Sequence, residues 1–331
     1  MLDFSKLSYN EQVKVLKKLA MVALERYPIA VKKIDFINHG ENATFKVTDS
    51  KKSKYLLRIC RNDYHTKEAL LEELAWLKTL SKTKKFQVPV PILSKAKRLL
   101  ESSFISEIPE GRKVALFKWT EGRFLKKAVS KKQMMALGIL LANLHEESGK
   151  QKTRYRKYWD SEGLLGKKAK FGSIDKLSGA SPRQQLAVTK TRKKILKSLK
   201  MFESLYPEKM GLIHADMHTG NFLFNRNGIA AIDFDDCGFG FFAYDVAIPI
   251  MSLNRLKNLN KKKKEILKEA FISGYRQIRA WDQNDEALLE QLITARRLLM
   301  LGWLNLRSDN PRLKKYFKGA LAQATRHLKQ V

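Results

Sequence analysis

The chain has 331 residues, of which 44% are hydrophobic, and it includes 17 Phe, 10 Tyr and 5 Trp. This composition excludes a mostly disordered chain and allows one large folded core or two tightly coupled ones. Lys+Arg 65 against Asp+Glu 33 gives a formal net charge of +32. This charge favours anionic partners such as nucleotides, phosphorylated metabolites, nucleic acid or acidic lipids, unless the lysines form a solvated surface without a specific role.

The first part of the chain is predicted to hold a small sheet between helices. Apolar residues at helical spacing predict an amphipathic helix over 8–26. Three strand-like runs separated by turn residues follow within 31–61, and they predict an antiparallel meander. Helical spacing returns over 66–80, two prolines exclude a helix at 88–92, and a strand is predicted over 114–119.

The remainder is predicted to be mostly helical. Helices are expected over 131–147, over 184–204 and through about 243–330. A loop–strand–turn–strand block at 212–236, with its turn at Asn225–Gly228, interrupts them. Strands first and helices afterwards predict an α+β fold with two segregated lobes.

Cysteine content and apolar segments limit where the protein resides. Cys60 and Cys237 are too few for a disulfide framework or for a zinc site of their own, so we expect reduced thiols. The N-terminus lacks a basic segment followed by an apolar core. The most apolar stretch, 238–253, is interrupted by Asp245 and Pro249. We therefore expect a cytoplasmic protein without a membrane span.

The block at 212–236 contains the residues suited to chemistry. Its second apolar strand ends in acidic residues, and a polar loop precedes the first strand. Phosphoryl transfer needs a carboxylate that orients the acceptor hydroxyl and oxygen ligands for Mg²⁺ on the phosphates. Asp216, Asn221 and Asp233 supply these groups, and the hairpin is expected to bring them to one place.

This block resembles the catalytic loop and metal strand of the aminoglycoside phosphotransferase superfamily, which includes choline-type and homoserine-type kinases and a bacterial stress-response protein kinase. The resemblance rests on H-x-D-x4-N at 214–221 and on I-D-F-D at 232–235. A chance hairpin with acidic ends is the alternative. The resemblance implies that Asp216 is the catalytic base and that Asn221 and Asp233 are metal ligands. It also implies that Asp235 assists the metal, that His214 supports the loop and that Asp245 braces it.

The resemblance implies a protein-kinase-like bilobal fold with ATP and Mg²⁺ as cofactors. Residues 1–118 would form the nucleotide-binding lobe, and residues 119–331 the catalytic and acceptor-binding lobe. Trp119 would belong to the hinge that reads adenine. The chain has no G-x-G-x-x-G; the turn that contains Gly40 and Asn42 resembles the superfamily's substitute nucleotide loop, in which Gly40 allows the turn. A plain hairpin turn is the alternative.

A kinase-like fold also needs a cation on the third strand and a glutamate on the following helix. Arg58 is the available cation. At 100° per residue, Glu73 falls inside the apolar arc of the helix over 66–80, whereas Glu72 falls outside it. An acid in an apolar face needs a partner, so we expect an Arg58–Glu73 pair. A structural ion pair that does not touch ATP is the alternative.

The acceptor is less defined by the sequence. Residues 146–210 hold 17 Lys+Arg against 7 Asp+Glu, which would repel a polycation such as an aminoglycoside. We expect a small hydroxyl compound, anionic compounds included. A Ser/Thr protein kinase of the bacterial stress-response type, with a loop similar to HADMHTGN, is the second hypothesis. A nucleic-acid-binding pseudokinase, suggested by the charge, is the third, although the sequence has no nucleic-acid motif.

Overall fold

The computed structural model describes residues 4–125, 129–148, 153–167, 169, 171–226, 228–256, 259–307 and 319–322. The strands, in chain order, are β1 (Val31–His39), β2 (Ala43–Asp49), β3 (Lys54–Ile59), β4 (Pro91–Ile92), β5 (Glu101–Ile105), β6 (Ile108–Lys118), β7 (Tyr158–Trp159), β8 (Met210–Ile213), β9 (Phe222–Asn225), β10 (Gly228–Ala231) and β11 (Gly238–Phe241). The α-helices, in chain order, are α1 (Tyr9–Leu24), α2 (Lys67–Leu80), α3 (Lys131–Ser148), α4 (Ser161–Leu165), α5 (Pro182–Leu205), α6 (Phe242–Ser252), α7 (Lys261–Arg276) and α8 (Gln283–Asn305).

Capping side chains fix where several helices begin. The hydroxyl of Ser8 accepts the backbone N–H of Glu11, whose carboxylate accepts the N–H of Ser8 in return. Ser181 and Gln184 form the same capping box at the start of α5, and Thr66 caps α2. Each of these caps satisfies backbone N–H groups that have no partner inside the helix.

The chain divides into two compact units: Met1–Arg123 with Leu223–Asp235, and Phe124–Phe222 with Asp236–Val331. The first unit contains an antiparallel sheet of order β1-β2-β3-β6-β4, with β5 paired to β6. Alternate side chains point to opposite faces of a strand. Leu57 and Ile59 therefore share a buried cluster with Leu16 and Leu19 of α1, whereas Arg58 points to the other face.

The hairpin β9–β10, apart from Phe222, belongs to the first unit and bonds to segments far away in sequence. Arg123 and Phe224 exchange two backbone hydrogen bonds of 2.8 and 3.0 Å, and the N–H of Ala231 donates to the carbonyl of Gln87. Gly122 allows the close approach of Arg123 to Phe224, because a Cβ at position 122 would lie 2.7 Å from the Cβ of Leu223. The unit thus extends past the predicted boundary at 118 and takes in 223–235.

The second unit contains a small sheet of order β7-β11-β8, in which β11 runs parallel to β7 and antiparallel to β8. The helices α3 and α7 pack together, as do α6 and α8. The sequence did not predict β4, β5, β7, β8 or β11. These strands are two to five residues long, too short for a recognisable alternation of apolar and polar residues.

The predicted helices and the predicted strands of the first unit otherwise agree with the structure. Some predicted segments lie outside the described residues: Asn227 in the predicted turn, and 257–258, 308–318 and 323–330 in the predicted C-terminal helices. In the part of the chain that is described, no helix is long and apolar enough to cross a membrane.

Candidate active site

The loop 214–221 follows β8 in the second unit, and a buried carboxylate on α6 holds its start. Asp245 accepts the backbone N–H of His214 at Oδ2 (2.7 Å) and the N–H of Ala215 at Oδ1 (2.8 Å). Both Asp245 and His214 are fully buried. The predicted bracing role of Asp245 is confirmed, because its two oxygens satisfy consecutive backbone donors of the loop.

Ala215 places the loop in an unusual backbone conformation. Its φ of 65° lies in the left-handed region, which costs a residue with a side chain about 1–2 kcal/mol. The hydrogen bond from Ala215 to Asp245 offsets this strain. Strained residues held by their surroundings are frequent at functional sites, and this one directly precedes Asp216.

Asp216 and Asn221 contact each other within this loop. The amide nitrogen of Asn221 donates to the backbone carbonyl of Asp216 (2.9 Å) and to its Oδ2 (3.2 Å). Nε2 of His218 is 3.5 Å from the same Oδ2. The Asp216 side chain retains 21% of its exposure, so a substrate hydroxyl can approach this carboxylate.

Asn221 has the chemistry of a magnesium ligand. Because its amide nitrogen is used inside the loop, its Oδ1 is the atom left to contact a cation. Among the described residues, no group of three or more His, Cys, Asp or Glu side chains is arranged to hold a metal ion. Mg²⁺ prefers a few protein oxygens together with phosphate and water, and an amide oxygen can be one of them.

Arg296 on α8 contacts Asp216, which the sequence did not predict. Its Nη2 donates to Oδ1 of Asp216, and its Nη1 donates to the hydroxyl of Tyr244 (2.9 Å). Burial alone would lower the pKa of Arg296, but Tyr244 and Asp216 raise it above its ordinary value. A signal was present in the sequence, since Arg296 follows Leu289, Leu292 and Ile293 at helical spacing.

His145 supports the loop from behind Asp245. Its Nε2 lies 3.2 Å from Asp245 Oδ2, and its Nδ1 lies 2.7 Å from the hydroxyl of Tyr275. Because a carboxylate can only accept, Nε2 carries the proton and Nδ1 accepts from the tyrosine. Burial lowers the pKa of His145 below 6.5 despite the hydrogen bond to Asp245. His145 therefore has a structural role behind the loop.

The first unit contains the predicted ion pair. Arg58 donates from Nη1 and Nη2 to both carboxylate oxygens of Glu73, at 2.7 and 2.9 Å. Arg58 is 5% exposed and Glu73 is 1% exposed. Burial opposes the charge on Arg58, but Glu73 raises the pKa of the guanidinium well above its ordinary value. The predicted pairing is confirmed, and its contact with ATP stays a prediction.

The acids that follow β10 have different surroundings. Asp233 is exposed and has a φ of 62°, whereas Asp235 is buried. Oδ1 of Asp235 lies 3.8 Å from Arg58 Nη1 and 3.6 Å from His65 Nε2. Asp235 thus belongs to the charged cluster around Arg58, and its assistance to a metal stays a prediction.

The candidate nucleotide loop is shaped differently from the expectation. Gly40 does not have a positive φ, and a Cβ there would meet only Asn38 Nδ2, at 3.6 Å. The turn therefore does not need a glycine, and the backbone N–H of Gly40 donates to the carbonyl of Asn42 (3.1 Å). Asn42 Oδ1 accepts the backbone N–H of Arg61 (3.1 Å) and ties the turn to the residues after β3. Nζ of Lys46 lies over the ring of Trp119, 5.3 Å from the centroid of that ring.

The structure therefore brings the predicted residues together in two groups. Asp216 and Asn221 share the loop of the second unit. The first unit contains the Arg58–Glu73 pair, the acids after β10, and the turn and hinge residues. The prediction that the loop and the strand end meet stays a prediction.

A family model described as the phosphotransferase enzyme family (APH) matches residues 33–282, about three quarters of the chain. The chain belongs to the phosphotransferase enzyme family. The family match agrees with the resemblance found in the loop 214–221, and the predictions of a phosphotransferase and of its kinase-like fold are confirmed.

Named relatives of this phosphotransferase include kinases of two kinds. Amicoumacin kinase of Bacillus subtilis is 24% identical over 330 residues, which cover 93% of this chain and 88% of the relative. Stress response kinase A of Salmonella paratyphi A is 24% identical over 298 residues, covering 85% and 80%. Relatives of this chain are therefore named both as an amicoumacin kinase and as a stress response kinase.

Solved structures with the same fold extend over nearly the whole phosphotransferase. A microcompartment-associated aminopropanol kinase has a TM-score of 0.79 at 27% identity and covers 96% of this chain and 98% of its own. An amicoumacin kinase in complex with AMP-PNP, Ca²⁺ and Ami has a TM-score of 0.78 at 24% identity and covers 96% and 94%. The latter holds a nucleotide analogue and a divalent cation, the kinds of cofactor expected from the sequence.

Proposed function

We propose that this phosphotransferase moves the γ-phosphate of ATP, in the presence of Mg²⁺, to a hydroxyl group of a small molecule. A bond forms between the acceptor oxygen and the γ-phosphorus, the bond to the bridging oxygen of ADP breaks, and the hydroxyl proton passes to Asp216. Asn221 and Asp233 are the proposed metal ligands. Mg²⁺, when bound, supplies charge neutralisation on the phosphates.

The observation that carries this proposal is the geometry of the loop 214–221. Asp216 has a partly exposed carboxylate whose two oxygens are held by different donors. Asn221 turns its amide nitrogen into the loop and keeps an oxygen for a cation. A base beside a metal ligand is the small set of groups that phosphoryl transfer requires.

Arg58 is proposed to contact the phosphates of ATP. Glu73 occupies two donors of its guanidinium and fixes the plane of the group. A planar guanidinium can bind phosphate as well as carboxylate. Gly40, Asn42 and Trp119 are proposed to contact the nucleotide, and these contacts rest on the resemblance of the turn and the hinge.

The acceptor class is proposed from two kinds of support. The name of the aminopropanol kinase favours a small amino alcohol, and that of the amicoumacin kinase also favours a small molecule. The excess of lysine and arginine in 146–210 favours a compound that carries an anionic group as well. An acceptor screen must therefore include amino alcohols, hydroxy amino acids, sugars and their phosphates.

The test is a coupled assay of ADP release with Mg-ATP, run with each acceptor class and without an acceptor. We expect one small-molecule class to raise ADP release and to yield a phosphomonoester by ³¹P NMR. ATP consumption that no small hydroxyl compound stimulates would contradict the proposal.

A protein kinase of the stress-response type is the second candidate, favoured by the match to Stress response kinase A. Incubation with γ-labelled ATP separates the two candidates, because a protein kinase transfers label to itself or to an added protein. The pseudokinase hypothesis predicts salt-dependent binding of an oligonucleotide and no ATP turnover. Label on a small molecule would exclude the pseudokinase and favour the small-molecule kinase.

A further inference from the structure

Arg296 is a buried charge on a helix whose inward positions are mostly apolar. It is 6% exposed, and its neighbours on the buried face of α8, Leu292, Ile293 and Leu299, are aliphatic. An unpaired guanidinium in such a place would be costly. The groups that Arg296 contacts therefore indicate its role.

One arm of the guanidinium is held independently of the catalytic carboxylate. Nη1 donates to the hydroxyl of Tyr244 at 2.9 Å and lies 3.5 Å from the carbonyl oxygen of Ala215. The Cζ atom of Arg296 is 5.9 Å from the centroid of the Tyr244 ring. Contacts with α6 and with the loop therefore fix the orientation of the guanidinium independently of its contact with Asp216.

The other arm distinguishes the two oxygens of Asp216. Nη2 of Arg296 donates to Oδ1, whereas Oδ2 accepts from Asn221 and lies 3.5 Å from Nε2 of His218. Both ends of the carboxylate are restrained, so its plane cannot rotate freely. With Oδ1 taken by a permanent cation, Oδ2 is the oxygen that can exchange a partner for a substrate hydroxyl.

We propose that Arg296 is a positioning residue that pins the Asp216 carboxylate through Oδ1 and leaves Oδ2 to receive the acceptor hydroxyl. This role rests on the proposed function of Asp216. It requires a planar group with two donors in fixed directions, because Tyr244 and Asp216 are contacted by different nitrogens. The single nitrogen of an ammonium group cannot occupy both donor positions, Nη1 at Tyr244 and Nη2 at Asp216.

The kinetic test compares Arg296→Met, Arg296→Lys and Arg297→Met with the acceptor that supports turnover. Misplacement of a catalytic group by about 1 Å can lower the rate by about 100-fold. We expect such a loss of kcat in Arg296→Met, a smaller loss in Arg296→Lys, and an unchanged KM for ATP. Arg297→Met, one position along the same helix, should keep wild-type kcat, which controls for the loss of a charge from α8.

A crystal structure of Arg296→Met provides the second measurement, which needs no substrate. We expect the Asp216 carboxylate to rotate while Asp245 keeps its bonds to the loop. An unchanged kcat with active wild type, or an unmoved carboxylate, would overturn the role of Arg296 and leave the proposed function intact. If the wild type transfers phosphate to no acceptor, the proposed function fails and the crystal structure alone decides the positioning claim.

Discussion

Arg58 and Glu73 show at the residue scale how a buried charge depends on its partner. Each residue is almost fully buried, and each contacts the other through two hydrogen bonds. The attraction between the charges offsets their loss of hydration, so the pair as a whole contributes little net stability. Removal of one partner, in contrast, leaves an uncompensated charge in the interior.

We therefore predict that Glu73→Ala lowers the free energy of unfolding by about 3–5 kcal/mol. The double variant Arg58→Met with Glu73→Leu should recover most of this loss, because it removes both charges and keeps apolar volume. Urea denaturation measures all three proteins. Equal destabilisation of the single and double variants would show that packing, and not the unpaired charge, is the cause.

His145 should make stability depend on pH. Burial lowers its pKa in the folded state below the ordinary 6.5, against the effect of the Asp245 bond. Around it lie Tyr275, Arg279 and Glu146 as well as Asp245. The unfolded chain then binds more protons than the folded chain below pH 6.5, so stability present above that pH is lost as pH falls through the folded pKa.

We predict a falling free energy of unfolding between about pH 7 and the depressed pKa of His145. Urea denaturation over this range measures the slope, and His145→Gln should make it shallower. Some slope should remain in that variant, because burial also lowers the pKa of His39. A wild-type stability that rises on acidification would contradict the neutral state of the buried imidazole.

At the scale of elements, long periodic segments were predictable and short ones were not. Helical spacing identified α1 and α2 and also the inward position of Glu73. The same reasoning identifies Arg296 on α8, since a charged residue inside an apolar arc needs a partner. It could not give the identity of that partner, because Asp216 is 80 residues away in sequence.

Strand periodicity also fails where the backbone turns. Asp233 and Asp235 are two residues apart and would share a face of a regular strand. The positive φ of Asp233 breaks this alternation, so one carboxylate is exposed and the other is buried beside Arg58. A backbone outlier of this kind has no signature in residue spacing, and the separate environments of the two acids were not predictable.

Substitution of Gly122 tests whether the hairpin β9–β10 depends on the close approach of its backbone to residues 122–123. An added Cβ would lie 2.7 Å from Leu223 Cβ and 3.1 Å from the carbonyl oxygen of Phe224. We predict that Gly122→Ala lowers the free energy of unfolding by about 1–3 kcal/mol, as overpacking does. Thermal or urea unfolding measures it. Gly319→Ala is the control, since a Cβ there meets no atom of the described residues within 4 Å. Equal stability of both variants would refute the close contact.

At the scale of the whole molecule, charge and chemistry give separate information. The net charge of +32 is compatible with nucleotides, phosphorylated acceptors or nucleic acid. The family match over 33–282 establishes a phosphotransferase, and the loop 214–221 supplies the groups for phosphoryl transfer. The charge therefore bears on the acceptor and on solubility, and the loop bears on the reaction.

The central claim is that Asp216 performs the chemistry without being needed to bind nucleotide. With the active acceptor, Asp216→Asn should lower kcat by about 10²–10⁴-fold, the usual contribution of a general base. Calorimetry should find its Kd for Mg-ATP close to that of the wild type, whereas Asp233→Ala should weaken Mg-ATP binding. Full turnover by Asp216→Asn would contradict the assignment of the catalytic base.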